Sequence, residues 1–397
     1  MAFGQGTKQA RMFEERLHQL EEQHLLRRLQ LIESEPGPVV TIEGRRVILM
    51  ASNNYLGLAT HPKLKHAAVS ATERFGVGSG ASRLVSGTLP PHEELETALA
   101  RFKGVEAALT FSSGYLANIG LIPALISSGG LILADRLCHA SLIDGCKLSG
   151  GDLRVFRHRD IDQLRTLLAR RSAGRDTLIV TDGVFSMDGD LAPLPELVEL
   201  AEHHGARLLV DDAHGTGVMG LQGRGTLEHF GLESRLPFHM GTLGKALGTS
   251  GAYVAGPASL IRYLVSTARS FLFTTAPPPA TAAASLAALD ILRSEPDRRT
   301  RLWENRDHFY RGLKALGFRT THTVSPIIPV LIGDPDKALD MTRLLFKYGV
   351  YAPAIRPPTV PKATSRIRIT VTSEHTGEQL NTVLNAFQKA GRELSLV

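Results

Sequence analysis

Lys245 stands in the small-residue segment Gly241-Thr242-Leu243-Gly244-Lys245-Ala246-Leu247-Gly248, downstream of Val210-Asp211-Asp212-Ala213-His214-Gly215. An amine in an uncrowded turn can form a Schiff base with an aldehyde. A carboxylate at the end of an apolar run is costly to bury unless it meets a positive partner. A protonated pyridine nitrogen is such a partner, and keeping it protonated makes the ring an electron sink. Together these two demands are those of pyridoxal phosphate. Plainer readings exist: a Gly-rich turn with one Lys can be only a loop. Asp211-x-x-His214 could be two ligands of a metal, but a third at useful spacing is missing. The phosphate loop G-x-x-x-x-G-K-[ST] is excluded, because His239 stands where its first Gly belongs and Ala246 follows the Lys.

Other segments add groups that could serve the same ring. Ser112-Ser113-Gly114-Tyr115 follows the apolar run Ala107–Phe111 and opens a helical stretch. A helix start offers unpaired N–H groups and a positive dipole end, which suits a phosphate; Ser113 would equally serve as an ordinary N-cap. His139, in Cys138-His139-Ala140-Ser141, could stack on a flat ring or be structural. Ser186 lies in Asp182-Gly183-Val184-Phe185-Ser186-Met187-Asp188-Gly189, where it could bond a phenolic oxygen, although the two glycines also read simply as a turn. His214 could bond the ring's O3′. Gly76-Val77-Gly78-Ser79-Gly80-Ala81 is only loosely like a dinucleotide fingerprint. Ala81 replaces the third Gly and no strand precedes it, so it reads as a flexible loop near the site.

These residues need a scaffold that brings strand ends together. Short apolar strands are predicted at Ala107–Phe111, Leu131–Ala134, Leu153–Phe156, Leu178–Thr181, Leu208–Val210, Phe238–Met240 and Ala252–Ala255. Helical patterns such as Ile161–Arg170 and Leu194–His204 separate several of them. That alternation predicts an α/β fold with a mostly parallel sheet covered on both faces, and ligands of such sheets bind at the strands' carboxyl ends. Ser113, Ser186, Asp211 and Lys245 all follow strands. Upstream, residues 1 to about 10 read as disordered, Arg11 to about Ile32 as an amphipathic helix, and Val39–Ile42 with Val47–Met50 as a hairpin around Glu43-Gly44. Downstream of the breaker Thr275-Ala276-Pro277-Pro278-Pro279, helices run from about Thr281 to Ala315. Strands at Ile327–Leu331 and Ile367–Val371 and a last helix from Gly377 to about Leu394 make a smaller α/β unit. The expected division is 1–50, 51–276 and 277–397.

With 43% hydrophobic residues the chain reads as globular, and no apolar run approaches membrane-span length. No signal h-region is present, and Glu14, Glu15, Glu21 and Glu22 argue against a transit peptide. Cys138 and Cys146 suit neither a CxxC nor a zinc knuckle and read as free thiols, so a cytoplasmic setting is expected. Net charge is +6, yet basic residues are dispersed among acids, so nucleic acid is not an expected partner. A mildly basic surface would also suit an anionic cofactor and an acyl carrier through steering.

Asn53-Asn54-Tyr55-Leu56-Gly57-Leu58, the Gly78-Ser79-Gly80 loop and Ser113-Gly114-Tyr115 are followed, in order, by Asp135 to Ser141, Thr181 to Asp190, Val210 to Gly215 and Thr242 to Gly248. Together they resemble the α-oxoamine synthases, which are fold-type I pyridoxal phosphate enzymes, over about residues 45 to 375. The resemblance implies a large domain with a mostly parallel seven-stranded sheet, a smaller α/β C-terminal domain, no metal, and a homodimer with active sites at the subunit interface. By the same resemblance, Lys245 is the Schiff-base lysine, Asp211 pairs with the pyridinium and His139 stacks on the ring. Ser186 and His214 contact O3′, and Ser113, Gly114, Tyr115 and Thr242 lie at the phosphate. Thr275 reaches in from the partner subunit. Asn53 and Arg368 hold the amino-acid carboxylate, a task for which a guanidinium fork is suited.

Within the family, Ile355-Arg356-Pro357-Pro358-Thr359-Val360-Pro361, the short Gly248-Thr249-Ser250-Gly251 and Leu26-Arg27-Arg28 are similar to one branch. That branch condenses L-alanine with a pimeloyl thioester, on CoA or acyl carrier protein, in biotin biosynthesis. Arg27 or Arg356 would meet the distal carboxylate. Arg301-Leu302-Trp303-Glu304-Asn305 resembles instead the branch that joins glycine to acetyl-CoA, and Gly78-Ser79-Gly80-Ala81-Ser82-Arg83 departs from the Gly-Gly-Ser-Gly-His form of some alanine enzymes. A non-catalytic member acting as a subunit of a complex is a third reading, against which the intact Lys245 and Asp211 argue.

Overall fold

The computed structural model describes residues 8–22, 25–27 and 29–397. Seven strands form the central sheet, in the spatial order Ala107–Phe111, Ala252–Gly256, His239–Thr242, Arg207–Asp211, Thr177–Asp182, Leu131–Asp135 and Asp152–Phe156. All neighbours are parallel except Ala252–Gly256, which runs antiparallel to both of its partners. Two reversals cancel. Ala107–Phe111 therefore points the same way as the parallel strands, and its carboxyl end reaches the same edge. The His239–Thr242 strand starts one residue later than the sequence pattern predicts and runs on to Thr242, because Thr242 still pairs with Ala252.

Both faces of this sheet are covered, which is why Leu131–Asp135, Thr177–Asp182 and Ala252–Gly256 are buried at every position. Alternation sorts the side chains. Ile132, Ala134, Leu178 and Val180 pack with Leu121, Leu142 and Leu264 of the helices Gly114–Leu125, Ala140–Leu148 and Ala258–Thr267. Leu131, Leu133 and Ile179 pack on the other side with Leu164, Leu168, Leu197 and Val198 of Ile161–Ala169 and Leu194–His204. The strands Leu131–Asp135, Thr177–Asp182 and Arg207–Asp211 each end in a buried aspartate, so polarity collects at one edge.

The C-terminal part is built on the antiparallel sheet Ile327–Gly333, Ser365–Thr370 and Ala354–Ile355. Leu302 and Phe309 of Asp297–Ala315, Met341 and Leu345 of Pro335–Lys347, and Val383 and Phe387 of Gly377–Glu393 share its apolar core. The N-terminal hairpin Val39–Ile42/Arg45–Leu49 turns at Glu43 (φ 52°) and Gly44 (φ 69°), the positive pair that a two-residue hairpin loop requires. The hairpin is not isolated: Val350–Tyr351 adds to it as a parallel third strand.

The N-terminal helix differs from its sequence expectation. It spans Lys8–Glu22, so Lys8–Ala10 are helical, while the disorder expected for residues 1–7 lies outside the described residues, as does Arg28. The amides of Leu25 and Leu26 both turn back onto the Leu20 carbonyl, which closes the last turn. Beyond it, Ile32 packs on the hairpin and the Glu33 amide bonds the Thr41 carbonyl at 2.9 Å. Tertiary pairing outweighs the helical periodicity of Leu25 and Leu29.

His375 ties the hairpin to the C-terminal part. Its Nδ1 accepts from the Thr372 amide at 2.9 Å, and its Nε2 lies 3.1 Å from the Leu49 carbonyl oxygen, so the ring is neutral with the proton on Nε2. Burial lowers its pKa from 6.5 to about 4. A protonated ring is accepted by the unfolded chain below pH 6.5 but by the folded chain only near pH 4. The stability from this site is therefore full above pH 6.5 and is lost as the pH falls toward 4, on the order of 3 kcal/mol. Denaturant titrations of the parent and His375→Gln across this window should show a shallower acid loss in the variant; parallel slopes would refute the assignment.

Candidate active site

The carboxyl edge of the sheet opens into a cavity of about 180 Å³ lined by Gly114, Tyr115, His139, Ser141, Asp182, Asp211, Ala213, His214, Thr242 and Lys245. Each lining residue lies at or just after a strand of the central sheet. Lys245 sits in the turn between His239–Thr242 and Ala252–Gly256. That turn is closed by bonds from the Leu243 amide to the Gly251 carbonyl (2.9 Å) and from the Gly248 amide to the Lys245 carbonyl (2.9 Å). Leu243, Ala246 and Leu247 are buried anchors on either side, so the chain sequence pins the lysine while its side chain stays directed at the cavity. Gly248 (φ 68°) has no room for a Cβ, which would come within 2.4 Å of the Ala59 amide nitrogen.

Burial lowers the Lys245 pKa, opposed by the charges of Asp211 and Asp182 and assisted by that of Arg368. The amine is thus easier to deprotonate than an ordinary lysine. Asp211 is held from two sides: Asn118 Nδ2 donates to its Oδ2 at 2.7 Å, and the Ala213 amide to its Oδ1 at 2.9 Å. Asp182 lies beside it in register on the neighbouring strand. Burial and then the Asp211 charge push the Asp182 pKa well up, the direction of a carboxyl that keeps its proton, while the His139 amide donates to it at 2.9 Å.

His139 caps the helix Ala140–Leu148, and its Nδ1 is 2.7 Å from Ser141 Oγ. Ser141 Oγ in turn accepts from Asn118 Nδ2 at 2.9 Å. The hydroxyl proton therefore points at Nδ1, which also accepts from the Ser141 amide, and the ring carries its own proton on Nε2. Burial lowers the His139 pKa, in keeping with that neutral form. His214 is likewise held well below its ordinary value, by burial first and then by Lys245 and Arg368. Its Nδ1 bonds the Tyr55 hydroxyl at 2.7 Å, and burial raises Tyr55 to about 12, so the phenol keeps its proton.

Of the residues singled out in the sequence, Gly114, Tyr115, His139, Asp211, His214, Thr242 and Lys245 meet in this one cavity. Ser113 N-caps the helix Gly114–Leu125, its Oγ accepting from the Leu116 amide at 3.2 Å. Ser186 does not line the cavity; its carbonyl accepts from Arg368 Nε. Arg368 Nη2 reaches Asn53 Oδ1 at 3.2 Å, so Asn53 and Arg368 form one unit beside Tyr55. Thr275 is exposed on a bridge to Ser82, outside the cavity of its own chain. Arg27 Nη2 reaches Thr359 Oγ1 at 3.3 Å, which joins the N-terminal arginine to the Ile355–Pro361 segment; Arg356 is partly buried there. Neither lines the cavity. Asn118 and the packing roles of Tyr55, Ser141 and Asp182 escaped the sequence reading. The signal for Asn118 is a lone amide inside the apolar run Leu116–Leu125.

The donor set fits pyridoxal phosphate: a desolvated amine for the aldehyde, a fixed carboxylate for the ring nitrogen, and a helix start with the Thr242 hydroxyl nearby for the phosphate. Among the described residues no cluster of His, Cys, Asp and Glu could hold a metal ion. Comparison with known proteins agrees. Residues 45–387 match the aminotransferase class I and II family. The 8-amino-7-oxononanoate synthase of Geobacter sulfurreducens is 52% identical over 96% of this chain and 98% of its own length. That of Bacillus subtilis, 8-amino-7-oxononanoate synthase 1, is 44% identical over 98% and 100%. A serine palmitoyltransferase from S. paucimobilis, solved with bound PLP-myriocin, superposes with a TM-score of 0.93 at 35% identity over 99% of this chain and 100% of that one. The 8-amino-7-oxononanoate synthase from Francisella tularensis superposes with a TM-score of 0.76 at 30% identity over 88% and 99%. The chain belongs to the aminotransferase class I and II family, within which it is an α-oxoamine synthase dependent on pyridoxal phosphate.

Proposed function

We propose that this enzyme condenses L-alanine with a pimeloyl thioester, on CoA or acyl carrier protein, releasing CO2 and the free thiol and giving 8-amino-7-oxononanoate for biotin biosynthesis. The observation that carries the substrate reading is the shared name of the relatives that span 96% or more of this chain. The site supports the chemistry. When bound, pyridoxal phosphate supplies an aldehyde and an electron-withdrawing ring that stabilises negative charge on the amino-acid Cα.

In this reading Lys245, its pKa lowered, is the base that takes the Cα proton and later returns one. Asp211 keeps a proton at the ring nitrogen, and Asn118 and the Ala213 amide keep Asp211 aimed. Neutral His139 offers a flat face and neutral His214 a ring N–H or lone pair toward O3′. The helix start at Gly114-Tyr115 and Thr242 hold the phosphate. Arg368 and Asn53 bind the amino-acid carboxylate, with the Arg368 guanidinium steadied by the Ser186 carbonyl and by Thr370 Oγ1 at 3.1 Å. The Arg27–Thr359 contact joins one cationic side chain to the segment that carries Arg356, and in this reading one of the two arginines meets the distal pimeloyl carboxylate.

A homodimer follows from the same reading. Val77, Leu84, Val85 and Phe273 are exposed apolar side chains around the Ser82–Thr275 bridge, an apolar surface suited to a second copy that would bring Thr275 to the opposite site. A cytoplasmic setting is consistent with the unpaired Cys138 and Cys146.

The substrate reading is tested by kcat/KM for alanine with pimeloyl-CoA against glycine with acetyl-CoA. A methyl contributes only about 1–3 kcal/mol of discrimination, so some glycine turnover is expected, but the alanine pair should lead by at least about tenfold. Preference for glycine with acetyl-CoA would overturn it. Asp211→Asn should leave the fold intact, judged by melting temperature, and lower kcat by about a hundredfold or more, the scale of a lost active-site electrostatic partner; near-parental kcat would remove Asp211 from its role. Arg368→Ala should raise the alanine KM by about tenfold or more while the thioester KM stays within about twofold. Equal changes in both would make Arg368 structural.

A further inference from the structure

A second, partly buried cluster of charge lies along the sheet edge from the cavity. His158 follows the strand Asp152–Phe156, and both of its ring nitrogens meet carboxylates. Nδ1 is 3.0 Å from Asp135 Oδ1, and Nε2 is 2.9 Å from Asp190 Oδ2. A ring that serves two carboxylates must donate from both nitrogens and is therefore an imidazolium. Burial opposes that charge, but hydrogen bonds and charges from Asp135 and Asp190 prevail and push the pKa up to about 9. Arg159 adds a second positive group, with Nη1 3.1 Å from Asp190 Oδ2, so two cations balance two anions. The ring stands edge-on to Phe185 at 4.4 Å between centroids.

Asp190 and Phe185 are the two ends of a tight turn. The Phe185 amide bonds the Asp190 carbonyl at 3.0 Å, and the Gly189 amide bonds the Phe185 carbonyl at 2.8 Å. His158 thus grips both ends, one by charge and one by ring contact. The outward carbonyls between those ends all serve the C-terminal part. Ser186 accepts from Arg368 Nε, Met187 from Arg366 Nη1, Asp188 from Thr321 Oγ1, and Gly189 from Thr323 Oγ1 and the Val324 amide. The Asp188 carboxylate also pairs with Arg366 at 2.6 Å.

We propose that His158 is a positioning residue for the amino-acid carboxylate site: by bridging Asp135 and Asp190 it fixes the Phe185–Asp190 turn, whose Ser186 carbonyl orients the Arg368 guanidinium. The inference rests on the reading of Arg368 given above. His158 does not line the cavity, and its contacts with Asp190 and Phe185 reach the site through the turn. Charge enters because a neutral imidazole carries one N–H and cannot donate to both carboxylates at once, and the unpaired one would be left partly buried.

The test uses the cofactor-loaded full chain and His158→Gln. Its cofactor absorbance should match the parent, the alanine KM should rise about tenfold, and the thioester KM should move less than about twofold. In an Arg368→Ala background the same change should add nothing further to the alanine KM, since the guanidinium it orients is gone. Amide exchange of the 183–191 peptide should be faster in His158→Gln than in the parent. Should His158→Gln fail to fold, Asp190→Asn removes one charge of the bridge at constant size and should give the same split. If Arg368→Ala raises the alanine KM and a folded, loaded His158 or Asp190 variant does not, the inference is overturned while the carboxylate reading stands. If Arg368→Ala leaves the alanine KM unchanged, the carboxylate reading fails first and the inference falls with it.

Discussion

Placing carboxylates side by side at the buried edge of a parallel sheet is the constraint around which this molecule is organised. Asp135, Asp182 and Asp211 end three adjacent strands and are each at most 4% exposed. Like charges so placed repel, and burial penalises each one separately. The structure answers the three differently. Asp135 receives an imidazolium, Asp182 is pushed toward its neutral form, and Asp211 receives an amide and faces the lysine. A charged cofactor nitrogen would complete the third answer. The chemistry of the site is thus one solution to an electrostatic problem that the sheet itself poses.

The second organising contact joins the sheet to the C-terminal part. Arg366 and Arg368 alternate with Ile367 and Ile369 on the strand Ser365–Thr370, so the isoleucines enter the C-terminal core while both guanidiniums reach across to the Ser186 turn. Each arginine is nearly buried and is satisfied by carbonyls or a carboxylate of the opposite element. A burial of this kind is tolerable only with correct geometry, which makes the junction a selector of one relative placement.

Much of this was legible in the sequence. Apolar runs ending in Asp or leading into Gly-rich turns located the strands and their functional edge, because burial on both faces leaves continuous hydrophobic segments. That Lys245, Asp211, His139 and His214 share one cavity was legible for the same reason: side chains shortly after such runs have few other places to point. The part of Asn118 was not, since a lone amide in an apolar helix stands out without naming its partners; its meaning lies in Asp211 and Ser141, which are distant in sequence. The end of the first helix at Glu22 was missed because Ile32 and Glu33 answer to the hairpin, not to helical periodicity. The antiparallel course of Ala252–Gly256 was hidden too, as apolar runs carry no direction.

The third strand of the hairpin sheet, Val350–Tyr351, sets an order of events on the ribosome. Every residue lining the cofactor cavity falls between Gly114 and Lys245, and the sheet that carries them closes with Ala252–Gly256. Asn53 follows a hairpin whose sheet is finished only by residues 350–351, and its partner Arg368 lies 315 positions away in the chain. An emerging polypeptide can assemble the cavity long before the Asn53–Arg368 pair exists. Closing so long a loop costs entropy that nothing repays until the last contacts form. A nascent chain that halts before residue 350 has therefore synthesised every residue that lines the cavity but lacks Arg368, the partner of Asn53.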